Sequence, residues 1–148
     1  PEPYVCGTVF SPEGDKIYCR DNMSAFPANG NGVGTMRQLN TYVRTLMRAE
    51  NVLTPESVSL MQHDTSTDNP SYGLGCHQWQ YLGYGHKGDH HGYSAIMAYN
   101  PETGVSIVVL LPLWDERSLE NFTACQMTLF NAAFETLKVL GYPAETLN

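Results

Sequence analysis

Three of the five histidines in this 148-residue chain lie in one short stretch, His-Lys-Gly-Asp-His-His, residues 86–91. Histidine can transfer a proton near neutral pH, donate a hydrogen bond or bind a metal ion. Glycine lets a second molecule approach the backbone because it carries no Cβ. The stretch therefore favours one of three structures: a catalytic strand edge, a metal site, or a polar turn at the end of a sheet.

A metal site here would combine His86, Asp89, His90 and His91, with His77 approaching from a neighbouring strand. Zinc requires three or four ligands that converge on one point, with further hydrogen bonds that orient them. Adjacent residues of a strand point to opposite faces, so His90 and His91 cannot both face one cleft. We therefore expect no metal and no other cofactor. A metal-binding domain is the alternative from a different functional class.

The composition is that of an ordinary globular domain, with 42% hydrophobic and 16% charged residues. Eight Lys and Arg against fifteen Asp and Glu give a net charge of −7, without a basic cluster, so we expect no nucleic-acid partner. The apolar runs are far shorter than the ~20 residues that span a bilayer. The first residues, PEPYVCGTVF, include neither an initiating Met nor a leader sequence, which favours a mature or cut end.

Four cysteines are present and none forms a Cys-x-x-Cys pair, which argues against a zinc or redox motif. Residues 4–20 predict two strands around the turn SPEGD, which would bring Cys6 and Cys19 opposite one another at bridging distance. Two half-buried thiols are the alternative. A bonded pair would favour a secreted or periplasm-like compartment, and the localisation is otherwise undetermined.

Three segments have helical patterns. Thr35 is a candidate N-cap for a helix that ends near residue 50, and Thr54 followed by Pro55 predicts a second, shorter helix. The longest helix is predicted over residues 116–140. Its apolar stripe consists of Leu119, Phe122, Cys125, Leu129, Ala133, Leu137 and Leu140.

From residue 72 the period of the pattern changes to about two, which predicts β-strands. Residues 72–88 contain strands with glycine-marked kinks, and residues 93–100 and 105–112 flank Pro-Glu-Thr-Gly, a short hairpin connection. The second strand of that hairpin is almost wholly apolar, so both of its faces should be covered.

Together these elements predict an α+β fold, in which an antiparallel sheet is covered by a long C-terminal helix, with part of a helical subdomain. We divide the one predicted domain into an N-terminal hairpin (1–25), a glycine-rich loop with a helical segment (26–71), and strands with the C-terminal helix (72–148).

Two long segments resemble the serine β-lactamase-like hydrolases, the group that includes class C β-lactamases, D-Ala-D-Ala carboxypeptidases (penicillin-binding proteins), D-aminopeptidases and related esterases. The first is PANGNGVGTMRQLNTYVRTLMRAENVLTPESVSLM. The second, from Tyr72, contains Tyr-Gly-Leu-Gly, a His-x-Gly strand end, Gly-Tyr-Ser and Tyr-Asn-Pro-Glu-Thr-Gly before an apolar strand. The order and spacing of these elements carry the resemblance, which covers roughly residues 26–140.

The resemblance implies a serine nucleophile in a Ser-x-x-Lys motif, yet none of the nine serines here has Lys at that offset. The Tyr-x-Asn or Ser-x-Asn motif is absent as well. We therefore expect the C-terminal part of a β-lactamase-like fold, incomplete without an N-terminal partner segment or chain that carries the nucleophile. The substrate would be a small molecule or peptide with an amide or ester bond.

By this resemblance His86-Lys87-Gly88 corresponds to the Lys-[Ser/Thr]-Gly or His-x-Gly motif at the end of the strand that borders the substrate cleft. His86 would supply a cation or hydrogen-bond donor, Gly88 would leave room for substrate, and the Asp89 N–H would be one donor of an oxyanion hole. Tyr84, Lys87 and His90 are the candidate substrate-binding residues. Lys87 departs from the family pattern, which usually has Gly, Ser or Thr there.

Each of these residues also has a plainer interpretation. His86 could be a polar strand end with one hydrogen bond, His90 and His91 could line the rim of a turn, and the Asp89 side chain could be a turn former. A third functional class is a non-catalytic interaction domain, a member of the same fold that has lost its nucleophile.

Overall fold

The computed structural model describes residues 5–19, 29–30, 32–65 and 67–144. Positions 26–28 and 31 of the predicted glycine-rich loop lie outside the described residues. The described elements are, in chain order, β1 (Gly7–Phe10), β2 (Lys16–Tyr18), α1 (Met36–Met47), α2 (Pro55–His63), β3 (His77–Trp79), β4 (Gly83–His90), β5 (Tyr93–Tyr99), β6 (Ser106–Leu111), β7 (Leu113–Asp115) and α3 (Leu119–Val139).

The larger sheet contains four antiparallel strands in the order β3-β4-β5-β6. The β4–β5 hairpin turns at His91-Gly92, where Gly92 adopts a φ of 79° that favours glycine. The predicted Pro-Glu-Thr-Gly hairpin joins β5 to β6, and the Asn100 side chain accepts hydrogen bonds from the Glu102 and Thr103 N–H groups. Consecutive tight hairpins thus give the antiparallel sheet that the sequence predicts.

The smaller sheet has the order β2-β1-β7. Gly7 pairs with Tyr18 in the β1–β2 hairpin, and one step beyond that pair Cys6 and Cys19 form a disulfide with a Cα–Cα distance of 4.2 Å. The other two cysteines are buried free thiols.

The parallel pairing of β1 with β7 differs from the expectation of antiparallel strands alone. Pro112 lacks an N–H and interrupts the long apolar strand after Leu111. The Pro112 carbonyl instead accepts a hydrogen bond from the Thr8 N–H at 3.1 Å. The chain beyond Pro112 therefore pairs with the N-terminal strand rather than with β5.

Side-chain caps define the starts of the three helices. Thr35 and Gln38 form a capping box at α1, Thr54 caps α2 with Pro55 in its first turn, and Ser118 caps α3. The predicted start of the last helix at residue 116 is wrong, because Ser118 is extended and Asp115 still belongs to β7.

The core lies on both faces of the larger sheet. On one face α3 packs Leu129, Ala133, Phe134 and Leu137 against β5 and β6. On the other face α1 packs Val43, Leu46 and Met47 against Tyr99 and Cys76. Both helices contact β6, so its two faces are covered as its apolar sequence predicts. None of the helices in the described part of the chain combines the length and apolar character that crossing a membrane requires.

Candidate active site

Strand β4 presents the histidine-rich stretch on two opposite faces. Side chains alternate along a strand, so Tyr84, His86, Gly88 and His90 belong to a front face toward α1, while Gly85, Lys87 and Asp89 belong to a back face toward α3. The two faces have different surroundings.

His86 is half-buried in the middle of β4 and does not end the strand as we expected. The strand continues because residues 87–90 keep their pairing with β5 up to the turn at His91. The Nε2 atom of His86 lies 3.0 Å from the Tyr72 hydroxyl, and the His77 ring is 5.4 Å from the His86 ring. Among the described residues Nδ1 of His86 has no hydrogen-bond partner, so this nitrogen is available to a ligand.

Tyr72 is a site residue that the sequence does not assign. It begins the Tyr-Gly-Leu-Gly run, but no spacing rule places its hydroxyl against a histidine fourteen positions away. The contact arises because Tyr72 forms a β-bridge with His77, which is itself paired with Gly85 beside His86.

Gly88 and Gly85 are glycine for different reasons. A Cβ at Gly85 would lie 1.9 Å from the Met97 carbonyl oxygen, so the packing of the sheet requires glycine there. A Cβ at Gly88 would meet no atom within 4 Å, and the residue is exposed. Contacts with the described residues therefore do not explain the glycine at position 88, and the space beside its backbone is open among them.

The back face of β4 carries a closed hydrogen-bond network around Asp89. Lys87 Nζ contacts Asp89 Oδ2 at 2.6 Å and the Gln126 side-chain oxygen at 2.7 Å. Asp89 Oδ1 accepts hydrogen bonds from Ser94 Oγ at 2.7 Å and Gln126 Nε2 at 3.0 Å. Asp89 lies within β4 and is not a turn former, since its carboxylate joins β4, β5 and α3.

The environment of Asp89 favours its charged form. Burial acts to raise the pKa of this carboxyl, but the hydrogen bonds from Lys87, Ser94 and Gln126 and the positive charge of Lys87 outweigh it, so the pKa is lowered. Lys87 is thereby directed to α3, on the face opposite His86. The side chain of our candidate substrate-binding residue thus forms part of this network.

The other candidate residues lie at the two ends of β4. At the start of the strand, the Tyr84 hydroxyl is 3.1 Å from Nε2 of His63 on α2. At the other end His90 is the last residue of the strand, and His91 lies in the turn, where its ring stacks on Tyr18. His91 also contacts Trp114 and is thus separated from the surroundings of His86.

The arrangement does not support a metal centre. The His77 ring lies 5.4 Å from the His86 ring, and burial, followed by the positive charges of His86 and Lys87, lowers the pKa of His77. Within residues 5–19, 29–30, 32–65 and 67–144, no three His, Cys, Asp or Glu side chains are placed to hold a metal ion.

Comparison with known proteins agrees with the motif order in the sequence. The Beta-lactamase family model matches residues 3–121 of the chain. The chain belongs to the beta-lactamase family. A solved structure, the D-stereospecific amidohydrolase from Streptomyces sp., is similar with a TM-score of 0.59 and 24% identity over 76% of this chain, which shows a shared fold. No curated protein matches the chain.

The chain spans 36% of the length of that amidohydrolase structure. In this member of the beta-lactamase family, β3 pairs with the start of β4 only, from Gly83 to Gly85. No strand in the described part of the chain pairs with residues 87–90 on the side away from β5. An open edge of this kind offers backbone N–H and C=O groups to another strand or to a ligand.

Proposed function

We propose that this chain is part of a serine hydrolase that acts through an acyl-enzyme on amide, peptide or ester substrates, and that β4 forms one wall of its cleft. The observation that carries the proposal is the open space beside Gly88, on the unpaired edge of β4 and two residues from His86. Glycine at that position has no packing role within the described residues. Room for a substrate explains it.

In this mechanism a serine Oγ attacks the substrate carbonyl carbon and the carbonyl oxygen becomes an oxyanion. The Asp89 N–H is one donor to that oxyanion, and the N–H of the nucleophilic serine is the other. Collapse of the tetrahedral intermediate expels the amine or alcohol, which takes up the proton that the serine hydroxyl lost. Water then hydrolyses the acyl-serine ester, which releases the carboxylic acid and restores the serine. His86 faces the reacting groups through Nδ1, while Tyr72 holds its ring through Nε2.

The nucleophile belongs, in this proposal, to a partner segment or chain with a Ser-x-x-Lys motif, since the 148 residues contain none. Exposed apolar side chains on the helical side of the molecule, Leu60 at 55% and Leu74 at 54% exposure, support a further covering segment there. We expect the purified chain alone to hydrolyse neither β-lactams, D-amino-acid amides nor simple esters. If the chain alone turned over such a substrate and a serine-directed inhibitor blocked the turnover, the nucleophile would not lie in a partner segment, and the proposal would be wrong.

The decisive experiment replaces His86 in the protein that contains the Ser-x-x-Lys segment. His86→Ala should lower the acylation rate by ~10²–10³, the effect of losing one electrostatic contact to the tetrahedral intermediate. Gly88→Ala should also impair acylation, because its methyl group would occupy the open space beside the strand. Stopped-flow acylation with an ester reporter measures both.

His91→Ala is the matched control, because His91 lies in the turn against Tyr18 and Trp114. It should leave acylation within about twofold of the parent, and chelators should have no effect, since histidines that act through a positioned contact need no metal. Full acylation in His86→Ala, or equal losses in the two variants together with sensitivity to chelators, would overturn the proposal.

A further inference from the structure

A groove at the start of β4 lies apart from the proposed cleft. It has a volume of about 440 Å³, within the range typical of small-molecule sites, and is formed by the β3–β4 turn, the β5–β6 turn and the residues that follow α3. Gly88 is five residues further along β4 than Gly83, or about 17 Å in an extended strand. Aromatic and polar side chains line it, among them Trp79, Gln80, Tyr81, Asn100, Glu102 and Tyr142.

Two sets of polar side chains in this groove have different roles. Asn100 maintains the groove itself, because its Nδ2 donates to the Tyr81 carbonyl at 2.8 Å and its Oδ1 accepts from two backbone N–H groups of the β5–β6 turn. Four others have no hydrogen-bond partner among the described residues and are exposed: Gln80, Tyr81, Glu102 and Tyr142. The groove thus has a rigid frame and a rim of available donors and acceptors.

Tyr81 is held in a backbone conformation that tyrosine rarely adopts. Its φ is 66°, in the left-handed region, where glycine or asparagine would be less strained. The hydrogen bond from Asn100 to its carbonyl keeps it there, and the ring lines the groove with 37% of the residue exposed. Strain that a neighbouring side chain maintains at the wall of a groove is typical of a binding site.

The chemistry of the lining selects the ligand. Trp79, Tyr81, Tyr84 and Tyr142 supply aromatic surface, while amide and phenol groups both donate and accept hydrogen bonds. Glu102 is the only charged residue among the described residues of the lining, and the chain carries a net charge of −7, so an anion is disfavoured. A sugar ring matches this lining, because it has apolar C–H faces and neutral hydroxyl groups around its rim.

We propose that this groove binds a neutral saccharide, with a sugar ring against Tyr81 and Tyr142 and its hydroxyls hydrogen-bonded to Gln80 and Glu102. This site is centred on the turns at the start of β4 and the residues after α3, whereas His86 and Gly88 lie further along the strand, and Tyr84 is its one lining residue among the candidate substrate-binding residues. Binding can therefore be measured whether or not the protein hydrolyses any substrate.

The test titrates the chain with short neutral oligosaccharides of glucose, mannose and N-acetylglucosamine by calorimetry and ligand-observed NMR. At least one series should show saturable binding. Tyr81→Gly should weaken it by about tenfold or more, because the ring is lost. The same substitution relieves the left-handed strain, so the Tm should stay equal or rise, which separates loss of the contact from loss of the fold.

Tyr42→Ala is the matched control, since Tyr42 is 50% exposed on α1 and does not line the groove. It should bind the oligosaccharide as the parent does. The proposal is overturned if none of the three series binds saturably, or if Tyr81→Gly binds as tightly as the parent. Binding of choline that depends on Glu102, without saccharide binding, would also overturn it by assigning the groove to a cation.

Discussion

The two faces of β4 come from the same eight residues and differ in how their polar groups are used. On the back face, Lys87 and Asp89 take part in a network of five hydrogen bonds with Ser94 and Gln126. On the front face, the His86 side chain has one hydrogen bond, to Tyr72, and Gly88 has open space beside it. The back face is satisfied internally, whereas the front face retains groups that a ligand can use.

This difference assigns separate tasks to neighbouring residues. The network ties β4 to β5 and α3, and so fixes the backbone that carries His86 and the Asp89 N–H. Positioned donors are effective in catalysis only when the surrounding structure holds them before the substrate arrives. Lys87, which departs from the family pattern, therefore acts on the back face as a positioning residue in our proposal.

The largest expected effect comes from exchanging two of the glycines of β4, Gly85 and Gly88, for alanine. Gly85→Ala should lower the free energy of unfolding by about 3 kcal/mol, because its Cβ would collide with the Met97 carbonyl. Gly88→Ala should change it by less than about 0.5 kcal/mol. Urea denaturation measures both values, and equal losses would show that position 88 is also constrained by packing.

Removing the centre of the back-face network should have the next largest effect. Asp89→Ala leaves the Lys87 side chain, which is 28% exposed, without its carboxylate partner, and should cost about 2 kcal/mol of stability. Glu50→Gln is the control, because it breaks an ion pair with Arg48 in which both side chains are more than 40% exposed, and should cost less than about 0.5 kcal/mol. A similar small cost in both variants would mean that the network does not hold the strand.

The pH dependence of stability should separate the contribution of the Asp89 network from that of His77. The pKa of Asp89 is lowered from 3.8, so its contribution is present above that pH and is lost as the pH falls through the folded value. The pKa of His77 is lowered from 6.5, so the unfolded chain takes up this proton first and stability begins to fall below pH 6.5. Thermal unfolding across this range should therefore show two losses.

Two variants assign these losses of stability to individual residues. His77→Gln should remove the loss that begins near pH 6.5, and Asp89→Asn the acidic one. The hydrogen bonds from Arg117 lower the pKa of Asp115 to about 2, so Asp115 also loses its contribution to stability at acidic pH. The contribution of Asp89 is therefore the difference between the stability profiles of the parent and of Asp89→Asn. An unchanged profile in both variants would contradict this assignment.

The smallest expected effect concerns Tyr72 on the front face. Tyr72→Phe removes one hydrogen bond and should cost about 1 kcal/mol, while it changes which nitrogen of the His86 ring carries the proton. We expect Nδ1–H in the parent, with the Tyr72 hydroxyl donating to Nε2, and a larger share of Nε2–H in the variant. Ring ¹⁵N shifts report the tautomer, and Tyr42→Phe, at an exposed site on α1, should leave them unchanged.

Local patterns in the sequence determine the helices, the hairpins and the family. Thr35 and Thr54 cap helices because a side-chain oxygen near an N-terminus satisfies the first N–H groups, whatever the rest of the fold. The Cys6–Cys19 hairpin and the Pro-Glu-Thr-Gly turn likewise depend on a few adjacent residues. The order of the motifs then predicts the beta-lactamase family, which the family comparison confirms.

Tertiary structure decides which of the chemical groups meet. Asp89 and Gln126 are 37 positions apart, and β1 pairs with β7 across about a hundred residues of chain, so no sequence period relates them. The position of His86 within its strand, its contact with Tyr72 and the open side of Gly88 follow from where β4 and its neighbours come together. Capping and turn preferences act over a few bonds, whereas the surroundings of a side chain depend on packing between distant segments.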